Sequence, residues 1–283
     1  MSASSSVEDP PRRSEAVNAI AASLLEAAVA PFKLALTYAG DHAILLGHAM
    51  AGLFRKPFRL RLYLEQAQFV GVGSLPIICL VGFFSGAVSA QQAIAALRIF
   101  NQERFVGATV GISLAQELAP VFGALMITAR AGSGMATELG SMRITEQIDA
   151  LTTFAVDPIQ YLVTPRIVAS ILMMPVMTMV FNIVGLVGAY LYAIFLEHID
   201  LGQFIEQFRY WTDPKDYVIG ATKAAVFGLT LSVAACFQGF YVRGGAKEVG
   251  LATTRAVVAG SVSILVCDYF LIDMFHILWP AQS

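Results

Sequence analysis

Four ionisable side chains lie inside long apolar stretches of the sequence, where a charge is costly. They are Glu117, Lys223, Asp268 and Asp273. At the centre of a bilayer each would cost at least about 2.5 kcal/mol unless it were paired or hydrated, so we expect all of them to point into a helical bundle. The residues alone leave two roles open: a buried lysine–carboxylate pair that fixes helix register, and a polar substrate cavity.

The composition explains why these charges stand out. Of 283 residues, 57% are hydrophobic and 13% are charged, a charged fraction roughly half that of an ordinary soluble domain. The apolar residues form long blocks instead of recurring at helix or strand spacing. This distribution predicts an integral membrane protein and excludes a water-soluble globule.

Several other classes of function lack the residues they need. The net charge is −2 and no basic stripe carries interleaved aromatics, which excludes a nucleic-acid partner. Cys79, Cys236 and Cys267 stand singly, without the spacing of a metal site. The histidines are scattered without carboxylates or serines at useful spacing, so neither a catalytic site nor a metal site is predicted and the chain is not expected to be an enzyme.

Five blocks are long enough to cross a bilayer as helices, since about 20 residues cover a hydrocarbon core of about 30 Å. They lie at about 69–97, 105–131, 165–196, 217–242 and 256–279. The blocks are continuously apolar, whereas barrel strands alternate, so an all-α membrane protein is predicted. GxxxG spacing at Gly82/Gly86 and Gly107/Gly111 marks either a close helix–helix contact or simple tolerance of glycine facing lipid.

The residues before the first block are expected to stay outside the hydrocarbon core. Residues 1–14 are polar and predict a disordered cytoplasmic tail. Residues 15–62 are apolar in patches interrupted by Pro31, Lys33 and Asp41, which disfavours a sixth span and predicts an amphipathic interfacial helix. The five-helix domain then occupies residues 63–283.

The distribution of Lys and Arg predicts the orientation of the spans. With the N-terminus in the cytoplasm, the cytoplasmic segments hold thirteen Lys and Arg residues and the outer loops hold four. The short C-terminus is then periplasmic.

The polar segment between the second and third blocks is the richest in groups that a soluble partner would contact. Its charged or polar candidates are Glu138, Arg143, Glu146, Gln147 and Asp149, and its apolar candidates are Met142, Ile144, Ile148 and Leu151. The residues alone leave open whether this is a docking segment or an ordinary solvated loop helix.

The same segment carries a resemblance to a known family. The run AQELAPVFGALMITARAGSGMATELGSMRITEQIDALTTFAVDPIQYLVTPR resembles the signature region of the MlaE (YrbE) family, the permeases of ABC systems that work with MCE-domain proteins. ATKAAVFG, VRGGAKEVG and TTRAVV near the C-terminus are also similar to that family, so the resemblance covers most of the chain from about Leu62 onward.

The resemblance implies a homodimeric lipid permease in the bacterial inner membrane, with an elbow helix before the first of five spans. It implies a coupling helix at about 137–155, seated on a cytoplasmic MlaF-like ABC ATPase, and as further partners a periplasmic MlaD-like MCE hexamer and a small STAS-type protein. None of the five lysines lies in a GxxxxGK[ST] run, so this chain is expected to hold no cofactor, with ATP and Mg²⁺ bound by the ATPase.

The family also suggests a cavity that binds phospholipid or a related hydrophobic lipid. By resemblance, Gln116, Glu117, Lys223 and Asp268 line this cavity, while Leu75 and Ile78 form its apolar walls. Members of the family often carry Arg immediately before the glutamate, whereas this chain has Gln116, which leaves the headgroup preference open.

Two other functions remain compatible with the residues. An ion-driven secondary transporter would use the intramembrane carboxylates as a relay and would work without an ATPase. A non-transporting membrane scaffold would need only the polar segments. The direction of transport does not follow from the sequence.

Overall fold

The computed structural model describes residues 30, 33, 36–53 and 59–278, with His276 and Leu278 described by backbone only. The predicted tail, residues 1–14, lies outside these residues. The chain divides into two compact units, Met1–Leu45 and Leu46–Ser283. In the first unit residues 36–45 are helical and expose Leu36, Tyr38 and Ile44. The interfacial placement of 15–62 stays a prediction.

The second unit holds five helices that are long and apolar enough to cross a membrane. We call them spans 1 to 5: Leu60–Arg98, Glu103–Ile144, Ile159–Leu196, Pro214–Phe240 and Ala246–Phe275. Two short helices, Gln147–Thr153 and Leu201–Trp211, connect spans 2 and 3 and spans 3 and 4. No strand occurs among residues 36–53 and 59–278. The structure therefore confirms the predicted all-α fold with five spans.

The ends of the spans differ from the prediction. Span 1 begins at Leu60 instead of 69, span 2 continues to Ile144 instead of 131, and span 5 begins at Ala246 instead of 256. Each added piece is polar enough to interrupt an apolar block, and the helix nevertheless continues through it. Apolar length therefore predicts the part of a helix that lipid covers and misses the part that continues beyond it.

Spans 1 to 3 are interrupted helices. Span 1 consists of Leu60–Val70, a 3-10 turn at Val72–Ser74 and Leu75–Arg98. Span 2 has α-helical parts at Val106–Ser113, Ala119–Ile127 and Ser133–Ile144, joined by π-helical turns at Leu114–Leu118 and Thr128–Gly132. Span 3 is α-helical over Thr164–Leu191, with π-helical turns at Ile159–Val163 and Tyr192–Leu196. A π-helical turn inserts one residue into an α-helix and changes the direction of the neighbouring side chains.

Glycines allow the helices to approach closely. A Cβ atom at Gly86 would overlap the carbonyl oxygen of Gly185, which joins spans 1 and 3. A Cβ atom at Gly107 would overlap the carbonyl oxygen of Phe204, which joins span 2 to the connecting helix Leu201–Trp211. Both predicted GxxxG sites are therefore helix–helix contacts.

Candidate functional site

The two ends of the bundle differ in the connections that they hold. End 1 holds the connections 99–102 and 197–213, and end 2 holds the connections 145–158 and 241–245. At end 1, Arg98 pairs with Glu197, with Nη2 2.8 Å from Oε2.

Three of the predicted cavity residues meet in one ion cluster, contributed by spans 2, 4 and 5. The ammonium of Lys223 donates a hydrogen bond of 2.7 Å to Oε1 of Glu117. It also lies 3.1 Å from Oδ1 of Asp268, within ion-pair distance but without hydrogen-bond alignment. The side chain of Lys223 is 1% exposed, whereas that of Glu117 is 40% exposed and that of Asp268 is 16% exposed. The cation is enclosed, and the carboxylate of Glu117 is the open part of the cluster.

Local helix geometry explains how these residues meet. Glu117 belongs to the π-helical turn Leu114–Leu118, where the backbone N–H of Ala119 bonds to the carbonyl of Leu114. Pro120 follows and has no backbone N–H, so the carbonyl of Gln116 lacks its usual α-helical donor. The wider turn accommodates this loss and directs consecutive residues toward span 4.

Span 4 presents a matching face. Asp216, Gly220 and Lys223 are spaced i, i+4 and i+7, so they share one side of the helix. Gly220 lies so close to the π-helical turn that a Cβ atom there would overlap the carbonyl oxygen of Ala115. This close approach is what brings the Lys223 ammonium within reach of Glu117.

Gln116 lies next to Glu117 on the same π-helical turn and contacts span 4 at another residue. Its Nε2 donates a hydrogen bond of 2.7 Å to Oδ1 of Asp216, in the first turn of span 4. The other oxygen of Asp216 accepts from the backbone N–H of Asp213 and completes a capping box. Gln116 therefore ties span 2 to the beginning of span 4, toward end 1 from the ion cluster.

The other residues predicted to line the cavity or to point into the bundle differ in burial. Ile78 is fully buried in the hydrophobic core and Leu75 is half-buried, so Ile78 does not face an open surface of this subunit. Asp268 lies on span 5, near the middle of the apolar block 256–279 as expected. Asp273 is exposed and lies outside the cluster, against the expectation that it points inward.

At end 2, the predicted coupling helix at 137–155 is two segments instead of one. Residues up to Ile144 continue span 2, and the short helix Gln147–Thr153 follows a break at Glu146, whose φ is 60°. Arg143 Nη1 lies 2.6 Å from Asp149 Oδ1, a contact that bridges the break. Because a non-glycine residue with positive φ is uncommon, no sequence pattern located this break.

The predicted contact residues at end 2 differ in accessibility. Glu146, Gln147 and Asp149 are exposed, whereas Met142 and Arg143 are half-buried. Ile148 is buried, which removes it from the apolar residues available to a partner.

Glu138 has a partner within the chain. Its Oε2 lies 2.7 Å from Nη2 of Arg166 on span 3, and Nη1 of the same guanidinium donates to the carbonyl of Leu162 at 2.6 Å. Arg166 is 3% exposed and Glu138 is 52% exposed. The prediction did not connect these two residues, since they stand 28 positions apart in the sequence.

Phe154 was not predicted and is the most conspicuous apolar side chain of end 2. It follows the short helix Gln147–Thr153 and is 78% exposed. The signal was present in the sequence as an aromatic residue in a polar segment, but buried and exposed aromatics look alike without the fold.

Comparison with known proteins agrees with this architecture. The family model for "Permease MlaE" matches residues 63–274. A "Probable ABC transporter permease protein" of Rickettsia felis is 38% identical over 236 residues, which cover 83% of this chain and 91% of that protein. The "Intermembrane phospholipid transport system permease protein MlaE" of Haemophilus influenzae is 35% identical over 220 residues, 77% of this chain and 83% of that protein.

A plant protein is also similar. "Protein TRIGALACTOSYLDIACYLGLYCEROL 1, chloroplastic" of Arabidopsis thaliana is 32% identical over 232 residues, 82% of this chain and 66% of that protein. The matched region of the family model contains the ion cluster, the short helix Gln147–Thr153 and the Arg166–Glu138 pair. The chain is a multi-pass membrane protein and belongs to the MlaE permease family.

Proposed function

We propose that this chain is the permease subunit of an ABC transporter that moves phospholipid, or a related hydrophobic lipid, between the inner membrane and a periplasmic MCE-domain protein. The observation that carries the proposal is the part-open carboxylate of Glu117, held by a buried lysine inside a mainly apolar bundle. A polar group that is open to the surface of a membrane span suits a lipid headgroup, while the apolar surface around it suits acyl chains.

End 2 is proposed to face the cytoplasm and to receive the force of an ABC ATPase that binds ATP and Mg²⁺. The exposed Phe154 and the charged side chains of Glu146 and Asp149 form a surface of the mixed kind that protein partners use. The contact between Arg143 and Asp149 spans the break at Glu146 and links the short helix Gln147–Thr153 to span 2, through which a push would pass. A STAS-type protein would bind the ATPase.

A homodimer is part of the proposal. Only 11% of the most apolar stretch of span 5 is buried within the subunit, against 33–56% in the other spans. Span 5 also contributes Asp268 to the ion cluster, so a second copy packed near it would place two such clusters close together. The lipid would then lie between the subunits.

Reconstitution tests the proposal directly. Vesicles that contain the chain together with its ATPase and MCE protein are expected to transfer fluorescent phospholipid only when ATP is added. Vesicles that contain the chain alone are expected to transfer none. Equal transfer by the chain alone under an ion gradient would contradict the proposal and favour the ion-driven transporter.

The surface at end 2 has a matched control at end 1. Phe154→Ala is expected to reduce co-purification of the ATPase about tenfold, since an exposed aromatic at the centre of an interface is worth at least about 1.4 kcal/mol. Phe100→Ala removes an equally exposed phenyl ring in the connection 99–102 at end 1 and is expected to leave co-purification unchanged. Equal losses in both variants, or none in Phe154→Ala, would refute the assignment of end 2.

A further inference from the structure

Arg130 is a half-buried cation of span 2, in the π-helical turn Thr128–Gly132. Among the described residues no Asp or Glu lies within ion-pair distance of its guanidinium. Within this part of the chain its side chain donates only to the carbonyl of Phe69 on span 1, and its Cζ lies 4.6 Å from the centre of the Phe69 ring. A guanidinium has five N–H donors, so most of them are available to a ligand.

The guanidinium of Arg130 lies against the interruption of span 1. A Cβ atom at Gly73, in the 3-10 turn Val72–Ser74, would overlap it. The helix Leu75–Arg98 begins directly after that turn, so a cation lies beside the positive end of a helix dipole. These two positive features disfavour each other, whereas an anion bound at the turn would be favoured by both.

Ser74, at the N-cap position of the same helix, is a second group that calls for an acceptor. Its side chain is fully buried and caps no backbone N–H, and its Oγ has no hydrogen-bond partner among residues 36–53 and 59–278. Buried hydroxyls in native proteins are nearly always hydrogen-bonded, so an acceptor is expected beside this one. The hydroxyl of Ser74 and the guanidinium of Arg130 both donate hydrogen bonds, and both stand at the same turn.

The position of this turn along span 1 indicates which anion it meets. The helix Leu75–Arg98 has 24 residues and is therefore about 36 Å long, and Arg98 forms exposed ion pairs at end 1. Because the hydrocarbon core of a bilayer is about 30 Å thick, the turn lies at the level of the lipid headgroups in the leaflet at end 2. The anion that is most abundant at that level is a lipid phosphate.

The surface next to the turn suits an acyl chain. Pro76, Leu80 and Phe84 are exposed and are spaced i, i+4 and i+8 on the helix that follows the turn, so they form an apolar stripe that runs toward end 1. A lipid could place its phosphate at the turn and a chain along this stripe, whereas a free phosphate ion would use the turn alone.

We infer that Arg130 and the turn Val72–Ser74 bind the phosphate of a membrane phospholipid in the leaflet at end 2. This site is separate from the ion cluster, because Arg130 stands 13 residues after Glu117 on span 2, about 20 Å along the helix toward end 2. The inference does not rest on the proposed function, since a lipid can bind at this turn whether or not the chain transports lipid.

The test uses the purified full-length chain in dodecyl maltoside, a detergent without phosphate. Phosphatidylglycerol that carries a diazirine on one acyl chain is titrated in and irradiated, and mass spectrometry measures the labelling of residues 76–84. Unlabelled phosphatidylglycerol should compete for this labelling. Diacylglycerol, which has the same chains without the phosphate, and inorganic phosphate, which has no chains, should each compete at least about tenfold more weakly.

Two variants take the cation away from the turn in different ways. Arg130→Gln removes the charge and should weaken the apparent affinity for the photoactivatable lipid about tenfold, because a charged hydrogen bond to the phosphate is lost. Gly73→Ala keeps the charge but places a methyl group where the guanidinium lies, so the flexible arginine must move, and a loss of at least about threefold is expected. Arg255→Gln is the matched control, because Arg255 is an exposed arginine on the end 2 part of span 5. It should leave the affinity unchanged.

Thermal unfolding shows whether each variant is folded, and Gly73→Ala decides the question if Arg130→Gln does not fold. An unchanged affinity in either folded variant, or a loss in Arg255→Gln as large as in Arg130→Gln, would overturn the inference. Equal competition by diacylglycerol would mean that the phosphate is not recognised. Equal competition by inorganic phosphate would mean that the turn binds a free anion, and either result refutes a site for a lipid phosphate.

Discussion

Lys223 and Arg166 are both buried cations of the helical bundle, and each is matched to its surroundings differently. Lys223, in the half nearer end 1, faces two carboxylates, and the side chain of one of them, Glu117, is 40% exposed. Arg166, at end 2, faces one carboxylate and one main-chain carbonyl, so its guanidinium fork is balanced one to one.

The difference indicates that the two ion pairs have different roles. The Arg166–Glu138 pair joins spans 2 and 3, and its carboxylate is half exposed, although Nε of Arg166 is buried without a hydrogen-bond partner among the described residues. A cluster in which one buried ammonium faces two carboxylates, one of them part-open, places a polar group at the surface of a membrane span. The end 1 cluster has the features of a binding site, and the end 2 pair has the features of a mechanical tie.

Of the substitutions considered, loss of the Lys223 ammonium should lower the stability of the protein most. Lys223→Met leaves Glu117 and Asp268 near each other in the membrane without a cation, and breaking such a buried pair typically costs about 3–5 kcal/mol. The free energy of unfolding of the purified protein should fall by that amount, as measured by denaturant titration in detergent.

A neutral triple variant separates folding from binding at this cluster. Lys223→Met combined with Glu117→Gln and Asp268→Asn removes all three charges, so most of the lost stability should return. Lipid retention should not return, because the acceptor carboxylate is gone. Full recovery of both properties would reduce the cluster to a brace between helices.

Two glycines near opposite ends of span 4 allow the two ends of the bundle to be compared. Gly220 and Gly239 both lie on span 4: a Cβ atom at Gly220 would overlap the carbonyl of Ala115, and one at Gly239 would lie 2.6 Å from the carbonyl of Ala136. Each alanine variant should lower stability by about 1–3 kcal/mol through overpacking, with the larger loss at Gly220.

The functional consequences of these two variants should differ. Gly220→Ala moves Lys223 away from Glu117, so it should reduce the lipid retained by the complex. Gly239→Ala disturbs the helix that carries Glu138, so it should leave bound lipid intact and lower the amount transferred per ATP hydrolysed. Identical effects of both variants on lipid retention would remove the distinction between the ends.

These contrasts also show what the sequence made predictable. Apolar length alone predicted all five spans, and the cost of charge in lipid singled out Glu117, Lys223 and Asp268 before any contact was known. Their convergence depends on the π-helical turn before Pro120 and on the close approach at Gly220, neither of which has a reliable sequence period.

The pair between Arg166 and Glu138 was less predictable for a related reason. Arg166 looked like one of many cytoplasmic cations, because the Lys/Arg bias counts charges without distinguishing buried from exposed positions. Its burial follows from how span 3 packs against span 2, a long-range property. Glu138 was accordingly grouped with the residues that face a partner, although its carboxylate is engaged inside the chain.

Loss of Arg166 should cost less than loss of Lys223. Arg166→Met leaves a carboxylate at Glu138 that is half exposed and regains water, so about 1–2 kcal/mol is expected, close to the value of a single charged hydrogen bond. The informative measurement is the ratio of lipid transferred to ATP hydrolysed, which should fall while lipid retention stays constant. Arg166→Lys keeps the charge without the fork and should recover part of that ratio.

The exposed ion pairs that Arg98 forms with Glu103 and Glu197 at end 1 should contribute least to stability, and they serve as a reference for both buried cations. The hydrogen bond from Arg98 lowers the pKa of Glu197 below its usual 4.5. A carboxyl group whose pKa is lower in the folded state than in the unfolded state stabilises the folded state at pH values above its pKa in the unfolded state. This contribution is therefore present at neutral pH and is lost as the pH falls through the pKa of the folded state. Arg98→Gln should therefore shift the thermal midpoint slightly at pH 7 and not at all in strong acid, with lipid retention and transfer unchanged, since water screens an exposed pair. A shift at pH 7 as large as that of Arg166→Met would mean that burial does not set the difference between these ion pairs.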